Sequence, residues 1–317
     1  MPMPLPHCLP APAPEHPSLV AVQHQWADLT PLLPKSLPLG AMHEPLLVSH
    51  HTVRWPHLPP ACHGMTLAHL TDVHLSWPTL PWLNAVSQWL ATQHYDVLAL
   101  TGDVITSGDA YLPQLREWLQ SLPQGKPTVA CMGNHDYEDN NHGRSLKALY
   151  RELGIRCLVN ETVGLTPQGI VHQPDLATLN DALWVLGVDD AMKGKPDVDL
   201  LHSHLASKPL DASPALLLCH NPYLVENVPH WAGVGLILAG HTHGGQWTRW
   251  TFPMALVTGS RFLQGLWLLE NAGDDKPGLL HVNHGLGTAC LDIVGKTVPV
   301  VRLLVRPQVS FWTFLPG

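Results

Sequence analysis

Short runs of hydrophobic residues recur along the chain from about Leu46 onward, and glycine, proline, aspartate or asparagine bounds each run. Runs of this length between turn-forming residues are typical of buried β-strands. Most of the runs are nearly continuous in hydrophobicity rather than alternating, which favours strands covered on both faces, as in layered α/β folds. The predicted strands cover residues 65–72, 96–103, 127–134, 183–190, 214–221, 234–241 and 278–285.

Three segments between these strands have the spacing of amphipathic helices. Apolar residues recur there every three or four positions, for example at Leu112, Leu115 and Leu119. The early part of the chain therefore reads as strand, helix, strand, which is the repeating unit of an α/β domain. The helical segments are residues 80–93, 108–122 and 143–153.

Residues 1–45 differ from the rest of the chain because they are rich in proline. Proline fixes φ and lacks a backbone donor, so we expect no regular element to persist there. The 317 residues of the chain are within reach of one large α/β domain. The sequence thus predicts a loose N-terminal tail over residues 1–45 and a single folded domain over residues 46–317.

Composition narrows the range of functions only slightly. The formal net charge is -8 and the pI is about 6.2, so the chain lacks the basic balance of a dedicated nucleic-acid binder. The six cysteines form no CxxC pair, and Cys131 and Cys219 lie in apolar runs, which indicates reduced, buried thiols. No apolar stretch approaches the roughly 20 residues of a spanning helix, and the N-terminus does not resemble a signal peptide. We therefore expect a cytoplasmic protein that is at most peripheral to the inner membrane.

Polar residues that suit metal binding stand directly after the predicted strands. In layered α/β folds, ligands bind beyond the carboxyl ends of strands, so five strand ends would deliver these side chains to one rim. The chain has 22 histidines, but their spacing rather than their number carries the argument. The clusters are Asp72-Val73-His74, Gly102-Asp103, Gly133-Asn134-His135-Asp136, His220-Asn221 and Gly240-His241-Thr242-His243.

This set of side chains suits two divalent cations. Carboxylates and imidazoles are ligands that borderline metals accept, and a bridging carboxylate can hold two cations close together. Asp72 and His74 stand two residues apart at the exit of a strand, so both could reach one ion. Asp103 follows Gly102, where the missing side chain lets the backbone turn tightly. Each motif alone also fits a turn aspartate or a solvated histidine, and only the conjunction of all five indicates metal binding.

The five motifs, in this order, resemble the pattern of the calcineurin-like metallophosphoesterase superfamily, which is DxH, GD, GNH(D/E), a lone histidine and GHxH. The resemblance spans roughly residues 50–315, and the stretch from VRWPHLPPACHG to GHTHGGQ is similar to the YkuE-like bacterial branch. HVNHGLGTA and Arg302 are similar to that branch as well, whereas His284 stands where arginine is expected. The resemblance implies a four-layer α/β/β/α sandwich of two mixed sheets flanked by helices, with the metallophosphoesterase domain over residues 46–317.

Carried over position by position, the family's roles imply two metal sites that share Asp103. The implied cations are manganese, iron or zinc, and they would activate hydroxide for in-line attack on a phosphoric ester. His135 is implied to protonate or stabilise the leaving oxygen, with Asp136 orienting its ring. The first metal would take Asp72, His74, Asp103 and His243, and the second would take Asp103, Asn134, His220 and His241.

The implied function is hydrolysis of a phosphodiester or phosphomonoester by metal-bound hydroxide, with a phosphate-ester small molecule or a lipid-linked compound as substrate. The YkuE-like branch also implies cleavage of the pyrophosphate of UDP-diacylglucosamine. A metal-stabilised scaffold without turnover is the alternative from another class, and the complete ligand set weighs against it. A nuclease is disfavoured by the acidic balance of the chain. No protein partner is predicted.

Three further features have two interpretations each. Asp189 and Asp190 end another predicted strand and either shape the pocket or cap a turn. The aromatic segment from Trp247 to Trp267 either borders the site, where it would accept an acyl chain or a membrane face, or forms a buried hairpin. His202-Ser203-His204 lies on a predicted helix and is more typical of a surface or packing segment than of a ligand pair.

Overall fold

The structure of the protein is a computed structural model. Within the residues that it describes, the chain forms sixteen strands and five α-helices. The described residues are 18–34, 45–76, 79–106, 108–138, 141–172, 179, 181–209, 211–228, 231–245, 260–269, 278–288, 290–293, 296–299 and 305–317. The helices are α1 (Leu80–Leu90), α2 (Leu112–Ser121), α3 (Arg144–Glu152), α4 (Val198–Ala206) and α5 (Tyr223–Asn227).

The first sheet is built from the N-terminal half of the chain and its last strand. Its members are β1 (Leu19–Ala27), β2 (Leu46–Trp55), β3 (Thr66–Leu70), β4 (Val97–Thr101), β5 (Thr128–Cys131), β6 (Arg156–Cys157) and β16 (Gln308–Pro316). Their order across the sheet is β1-β2-β16-β3-β4-β5-β6. β3, β4, β5 and β6 are parallel, whereas β16 is antiparallel to β3 and parallel to β2. The sheet is therefore mixed.

The second sheet is also mixed and has the order β12-β13-β11-β10-β9-β7-β8. These strands are β7 (Glu161–Thr166), β8 (Gly169–Val171), β9 (Leu183–Gly187), β10 (Ala215–Leu218), β11 (Val234–Ala239), β12 (Gly265–Leu269) and β13 (Gly278–Val282). β9, β10, β11 and β13 are parallel, and β7 and β12 pair antiparallel with their neighbours. A separate antiparallel ladder joins β14 (Cys290–Ile293) to β15 (Lys296–Pro299).

Three hydrophobic clusters separate four layers. The first packs α1, α2 and α3 against the outer face of the first sheet, through side chains such as Trp82 and Trp118. The second lies between the two sheets and includes Trp312. The third packs α4 and α5 against the outer face of the second sheet, through Leu201 and Val225. Because successive strand residues point to opposite faces, each buried strand feeds two of these clusters. The predicted four-layer α/β/β/α fold is confirmed.

The hydrophobic runs locate the interior strands well. The seven predicted strands contain β3, β4, β5, β9, β10, β11 and β13, and the predicted helical segments contain α1, α2 and α3. The helix expected around His202 is α4. Each strand ends before its predicted run does, because the last residues of the run leave the sheet as a loop at its rim. These loops carry the predicted ligands.

The N-terminal segment differs from its prediction. Residues 19–27, inside the predicted loose tail, form β1 and pair with β2. Leu29 is buried in the first hydrophobic cluster. The prolines that suggested a tail flank this segment, which itself contains none between Leu19 and Ala27. The expectation that no regular element persists over residues 1–45 is therefore wrong for residues 18–34, whereas residues 1–17 and 35–44 lie outside the described residues.

Three histidines are buried between the two sheets, on β2, β3 and β13. The ring of His51 stacks on Trp312 at 4.2 Å between centroids and meets His281 edge-on at 5.0 Å. His69 Nε2 lies 2.8 Å from Thr101 Oγ1, whereas neither ring nitrogen of His51 has a hydrogen-bond partner among the described residues. Burial lowers the pKa of all three rings, to about 3 for His51 and His69. The three rings are therefore neutral at neutral pH.

We expect these buried histidines to make the fold sensitive to acid. Their pKa values in the folded state lie below the ordinary value of 6.5, so the unfolded chain binds more protons once the pH drops below that value. The free energy of unfolding then falls, by roughly 2 kcal/mol for each histidine between about pH 7.5 and about pH 5. Urea unfolding of the metal-free protein across this range measures the slope.

Two variants test whether the buried histidines cause this pH dependence of the free energy of unfolding. His51→Phe keeps an aromatic ring against Trp312 but cannot be protonated, so its stability should fall less steeply with acid. His94 is exposed, and His94→Gln should leave the slope of the wild type unchanged. Equal slopes for the wild type and His51→Phe would contradict the prediction.

Candidate metal centre

The predicted ligands meet at the rim where the parallel strands of both sheets end. Main-chain hydrogen bonds continue past the strand ends and hold adjacent loops together. The N–H of Asp72 donates to Gly102 O at 3.0 Å, and the N–H of His74 donates to Asp103 O at 2.9 Å. Asp72 and His74 follow β3, Asp103 follows β4, Asn134 follows β5, His220 follows β10, and His241 and His243 follow β11.

Strained backbone is concentrated at this rim. Of the eight described residues other than glycine that have positive φ, five are predicted ligands. A left-handed backbone costs roughly 1–3 kcal/mol for a residue with a Cβ and persists only where the surroundings enforce it. Such strain is typical of functional sites. The five are Asp72 (φ 47°), His74 (φ 42°), Asp103 (φ 51°), His241 (φ 70°) and His243 (φ 49°).

Two glycines let carboxylates approach the backbone of a neighbouring loop. A Cβ on Gly133 would lie 2.2 Å from Asp103 Oδ1, and a Cβ on Gly240 would lie 2.2 Å from Asp72 Oδ2. Both distances are far below the 3.5–4.0 Å or so of a van der Waals contact. The carboxylates of Asp103 and Asp72 can therefore occupy their positions only because these two residues are glycines. The GNHD motif thus makes room for the GD motif, and the GHTH motif makes room for the DVH motif.

The first cluster consists of Asp72, His74 and His243, whose ligand atoms lie within 4.8 Å of one another. His74 Nε2 lies 3.0 Å from His243 Nε2, and His243 Nε2 lies 3.4 Å from Asp72 Oδ1. All three side chains are buried. Two imidazole nitrogens and one carboxylate oxygen at this spacing suit a divalent cation.

The second cluster consists of Asp103, His220 and His241, again within 4.8 Å. His220 Nε2 lies 3.2 Å from Asp103 Oδ2 and 3.2 Å from His241 Nδ1. The Nδ1–H of His220 donates to Thr101 O at 2.7 Å, an arrangement that leaves the lone pair of Nε2 for a metal. Asp103 Oδ2 also lies 3.7 Å from His74 Nε2, so this carboxylate is near both clusters.

Orphaned polar atoms show that the rim suits metal ions. Asn134 Oδ1 and His241 Nε2 are buried and have no hydrogen-bond partner among the described residues. A buried polar atom without a partner costs about 1–3 kcal/mol, and a bound cation is a partner that the amide oxygen of Asn134 can take. Carboxylate, imidazole and amide oxygen together form a donor set for borderline divalent metals. The residues present therefore fit the cations that the motifs predict.

The pKa shifts of the side chains at the rim also favour the binding of cations. Burial raises the pKa of Asp72 and of Asp136, and the charge of Asp103 raises both further. Burial would also raise the pKa of Asp103, but the imidazole of His220 holds it well below its usual range. Burial lowers the pKa of His241 to about 3. A closely spaced group of buried carboxylates creates a negative potential, which divalent cations compensate.

His135 lies beside the first cluster, and two residues that the motifs do not reveal hold its ring. Its Nδ1 lies 2.7 Å from Thr106 O and 3.2 Å from Glu138 Oε2. The ring meets His74 edge-on at 4.9 Å between centroids. Burial lowers the pKa of His135, but Asp103 and Glu138 outweigh it and raise the pKa to about 9. The only sequence signal for Glu138 is its position three residues after His135.

Asp136 does not orient the His135 ring as expected. Its carboxylate accepts hydrogen bonds from the backbone N–H groups of Asp103 at 2.8 Å, Val104 at 2.9 Å and Gly133 at 2.8 Å. A buried carboxylate is stabilised by several such donors, and the adjacent loops supply them. Asp136 therefore ties the loop after β4 to the loop after β5 and positions the backbone of Asp103.

Asp189 and Asp190 serve mainly as turn residues. The carboxylate of Asp190 accepts the N–H of Lys193 at 2.7 Å, which supports the interpretation as a capped turn. Asp189 accepts a hydrogen bond from the Tyr137 hydroxyl. Because Tyr137 lies in the same 3₁₀ turn as His135, this bond also braces the turn that carries the histidine.

The profile of the family described as Calcineurin-like phosphoesterase matches residues 65–245. This range covers more than half of the chain and contains all seven predicted ligands. The chain belongs to the calcineurin-like phosphoesterase family. Its members are metal-dependent phosphoric ester hydrolases, so the predicted enzyme class is confirmed.

Three relatives illustrate its place in the family. The chain is 27% identical over 280 residues to the uncharacterized metallophosphoesterase YkuE of Bacillus subtilis (strain 168), covering 84% of each chain. It is 31% identical over 256 residues to the phosphodiesterase YaeI of Escherichia coli (strain K12), covering 76% of this chain and 78% of YaeI. It is 26% identical over 266 residues to the UDP-2,3-diacylglucosamine pyrophosphatase LpxG of Chlamydia trachomatis, covering 71% of this chain and 78% of LpxG. The resemblance to the YkuE-like branch is confirmed.

The segment after the GHTHGG motif is described only in part. Residues 247–259 and Arg302 lie outside the described residues, and β12 follows as an edge strand with Trp267 36% and Leu268 41% exposed. His284, which stands where arginine is expected, lies close to Gly244 of the motif. Among the described helices, none has the length and hydrophobicity needed to cross a bilayer.

Gly133→Ala should abolish metal binding, because its Cβ would collide with the Asp103 carboxylate. Gly169→Ala is the matched control, since a Cβ there meets nothing within 4 Å and the glycine does not have positive φ. Metal content after loading with Mn²⁺ and desalting, together with the rise in melting temperature on loading, measures the effect. Full metal content in Gly133→Ala would show that Asp103 does not depend on this glycine.

Proposed function

We propose that this protein is a two-metal phosphoesterase that hydrolyses a phosphodiester or a phosphomonoester. The observation that carries the proposal is the pair of clusters at one rim, with the Asp103 carboxylate close to both. A carboxylate shared between two cations is the arrangement that a binuclear site requires. The ligands proposed are the seven predicted residues, and the cations proposed are manganese, iron or zinc.

When bound, the two cations would supply a water of lowered pKa as nucleophile and positive charge for the phosphoryl oxygens. The chain's own residues contribute positioning. Two threonines hold proposed ligands in place through hydrogen bonds. The Thr101 carbonyl oxygen accepts from the His220 ring at 2.7 Å, and the Thr71 hydroxyl donates to Asp72 Oδ2 at 2.9 Å. Such partners behind the ligands keep them in one orientation.

His135 is the proposed proton donor to the leaving oxygen. Its Nδ1 is engaged by Thr106 O and Glu138, so Nε2 is the nitrogen that can meet a substrate. The two acceptors at Nδ1 favour a protonated ring, which is the form that a general acid needs. Asp136 acts through the backbone of Asp103 and is a positioning residue in this proposal.

His135→Ala should lower kcat for bis-p-nitrophenyl phosphate by about 10²–10⁴-fold, because general acid catalysis contributes on that scale. Metal content should stay that of the wild type, since His135 is not among the proposed ligands. Glu138→Gln should lower kcat less, and the exposed His94→Ala should not change it. Assays with Mn²⁺, Fe²⁺ and Zn²⁺ on the purified protein also identify the cation that supports turnover.

Two outcomes of this assay would reject parts of the proposal. Equal turnover in the wild type and Asp103→Asn with every divalent metal would indicate a metal-stabilised scaffold without catalysis. Loss of metal together with activity in His135→Ala would make His135 a ligand rather than the proton donor.

A pyrophosphate-linked lipid precursor is the second candidate substrate. It is favoured by the similarity to LpxG, which is named as a UDP-2,3-diacylglucosamine pyrophosphatase, and by the exposed apolar side chains of Trp267 and Leu268 on edge strand β12. Acyl chains would bury such side chains. This substrate would place the enzyme at the cytoplasmic face of a membrane, and that location stays a prediction.

Two related substrates separate these candidates. If the lipid precursor is the substrate, kcat/KM for UDP-2,3-diacylglucosamine should exceed that for UDP-N-acetylglucosamine, which has the same pyrophosphate but no long acyl chains. Replacement of both exposed side chains, Trp267→Ser with Leu268→Ser, should reduce the difference. Equal kcat/KM values for both substrates would reject recognition of the acyl chains.

A further inference from the structure

A second concave site lies at the edge where β6 ends the first sheet and β7 and β8 end the second. It is a cleft of about 790 Å³, and its lining contains no predicted metal ligand. Lys126 and Pro127 line it just before β5 begins, whereas Asn134 follows the other end of that strand. The cleft is therefore a site separate from the metal centre.

Basic side chains are concentrated in this cleft. The chain as a whole has a net charge of -8 and only 17 lysines and arginines, yet four of these line the cleft beside a single acidic residue. Four positive charges and one negative charge leave an excess of three. The charged residues of the lining are Lys126, Lys147, Arg151, Arg156 and Glu161.

Contacts within the protein offset little of this charge. Arg156 pairs with Glu161, but among the described residues no carboxylate forms an ion pair with Lys126, Lys147 or Arg151. Like charges gathered without counter-charges repel one another and oppose folding. The chain has 25 acidic residues, yet none of those described pairs with these three cations. This lack of pairing favours a site for an external anion.

Aromatic rings hold two of the ammonium groups without neutralising them. Lys147 Nζ lies 5.0 Å from the centre of the Tyr137 ring, and Lys126 Nζ lies 5.5 Å from the centre of the Tyr95 ring. An anion with several oxygens would provide acceptors for these donors.

We propose that this cleft binds a small molecule that carries a diphosphate group. The excess of three positive charges matches the two or three negative charges of a diphosphate, and lysine and arginine are the side chains that recognise phosphate oxygens. The volume falls within the roughly 300–1,000 Å³ of small-molecule sites. Ile155, Val159 and Ile170 supply apolar lining for the organic part of the ligand. This second site goes beyond the proposed hydrolysis and does not depend on it.

Calorimetric titration with methylenediphosphonate, a diphosphate analogue that resists hydrolysis, tests the proposal. The Mn²⁺-loaded and desalted protein should show two binding events, and the EDTA-treated protein should keep the one that belongs to the cleft. Arg151→Glu and Lys126→Glu should each weaken that event at least tenfold. Circular dichroism and the melting temperature establish that both variants are folded.

Arg144→Glu is the matched control, because Arg144 is an exposed cation on α3, the same helix as Arg151, but does not line the cleft. It changes the net charge by the same amount and should keep both binding events. If Arg144→Glu and Arg151→Glu weaken binding of methylenediphosphonate equally, the effect comes from the net charge of the protein, and the proposed site is rejected. No binding to the EDTA-treated wild type would overturn it as well, whatever the metal centre binds.

Discussion

The structure depends most on keeping the buried carboxylate of Asp103 in one position. An ionised carboxylate with no compensation costs several kcal/mol in the interior. Here His220 lies 3.2 Å from one oxygen and the N–H of His135 donates to the other at 2.8 Å. Gly133 leaves the space that this carboxylate occupies. A side chain from the loop after β10 and a backbone N–H from the loop after β5 therefore stabilise one negative charge. That charge lies close to both clusters of predicted ligands.

Asp136 connects the position of Asp103 to the first sheet. Its carboxylate accepts hydrogen bonds from backbone N–H groups of the loops after β4 and β5, and these two loops follow neighbouring parallel strands. The strained φ values at Asp72 and Asp103 are tolerated because such bonds, together with the packed sheets beneath, outweigh their cost. Hydrogen bonds within the protein thus hold the loops of the rim together. A preorganised set of ligands suits hydrolysis, since little reorganisation is then needed as charge develops on the phosphoryl group.

Charge is distributed unevenly over the remainder of the molecule. The acidic rim contrasts with the basic cleft at the edge of β6, although the chain carries only 17 basic residues. Lys147 of the cleft contacts Tyr137, which follows His135 in the same turn. The turn that carries His135 therefore also carries a side chain that contacts the basic cleft. Between the sheets, by contrast, three neutral histidines replace apolar residues in the core.

The sequence alone determined the interior strands, the first three helices and the set of residues at the rim, because continuous hydrophobicity and turn residues are local signals and the motifs follow strand ends directly. The tertiary structure decided what depends on contacts distant in sequence. β16 enters the middle of the first sheet beside β2 and β3, and β1 pairs with β2, although neither pairing has a local signature. The partners of His135 and Asp136, and the grouping of Lys126 with Arg151, likewise arise only when separate segments pack together.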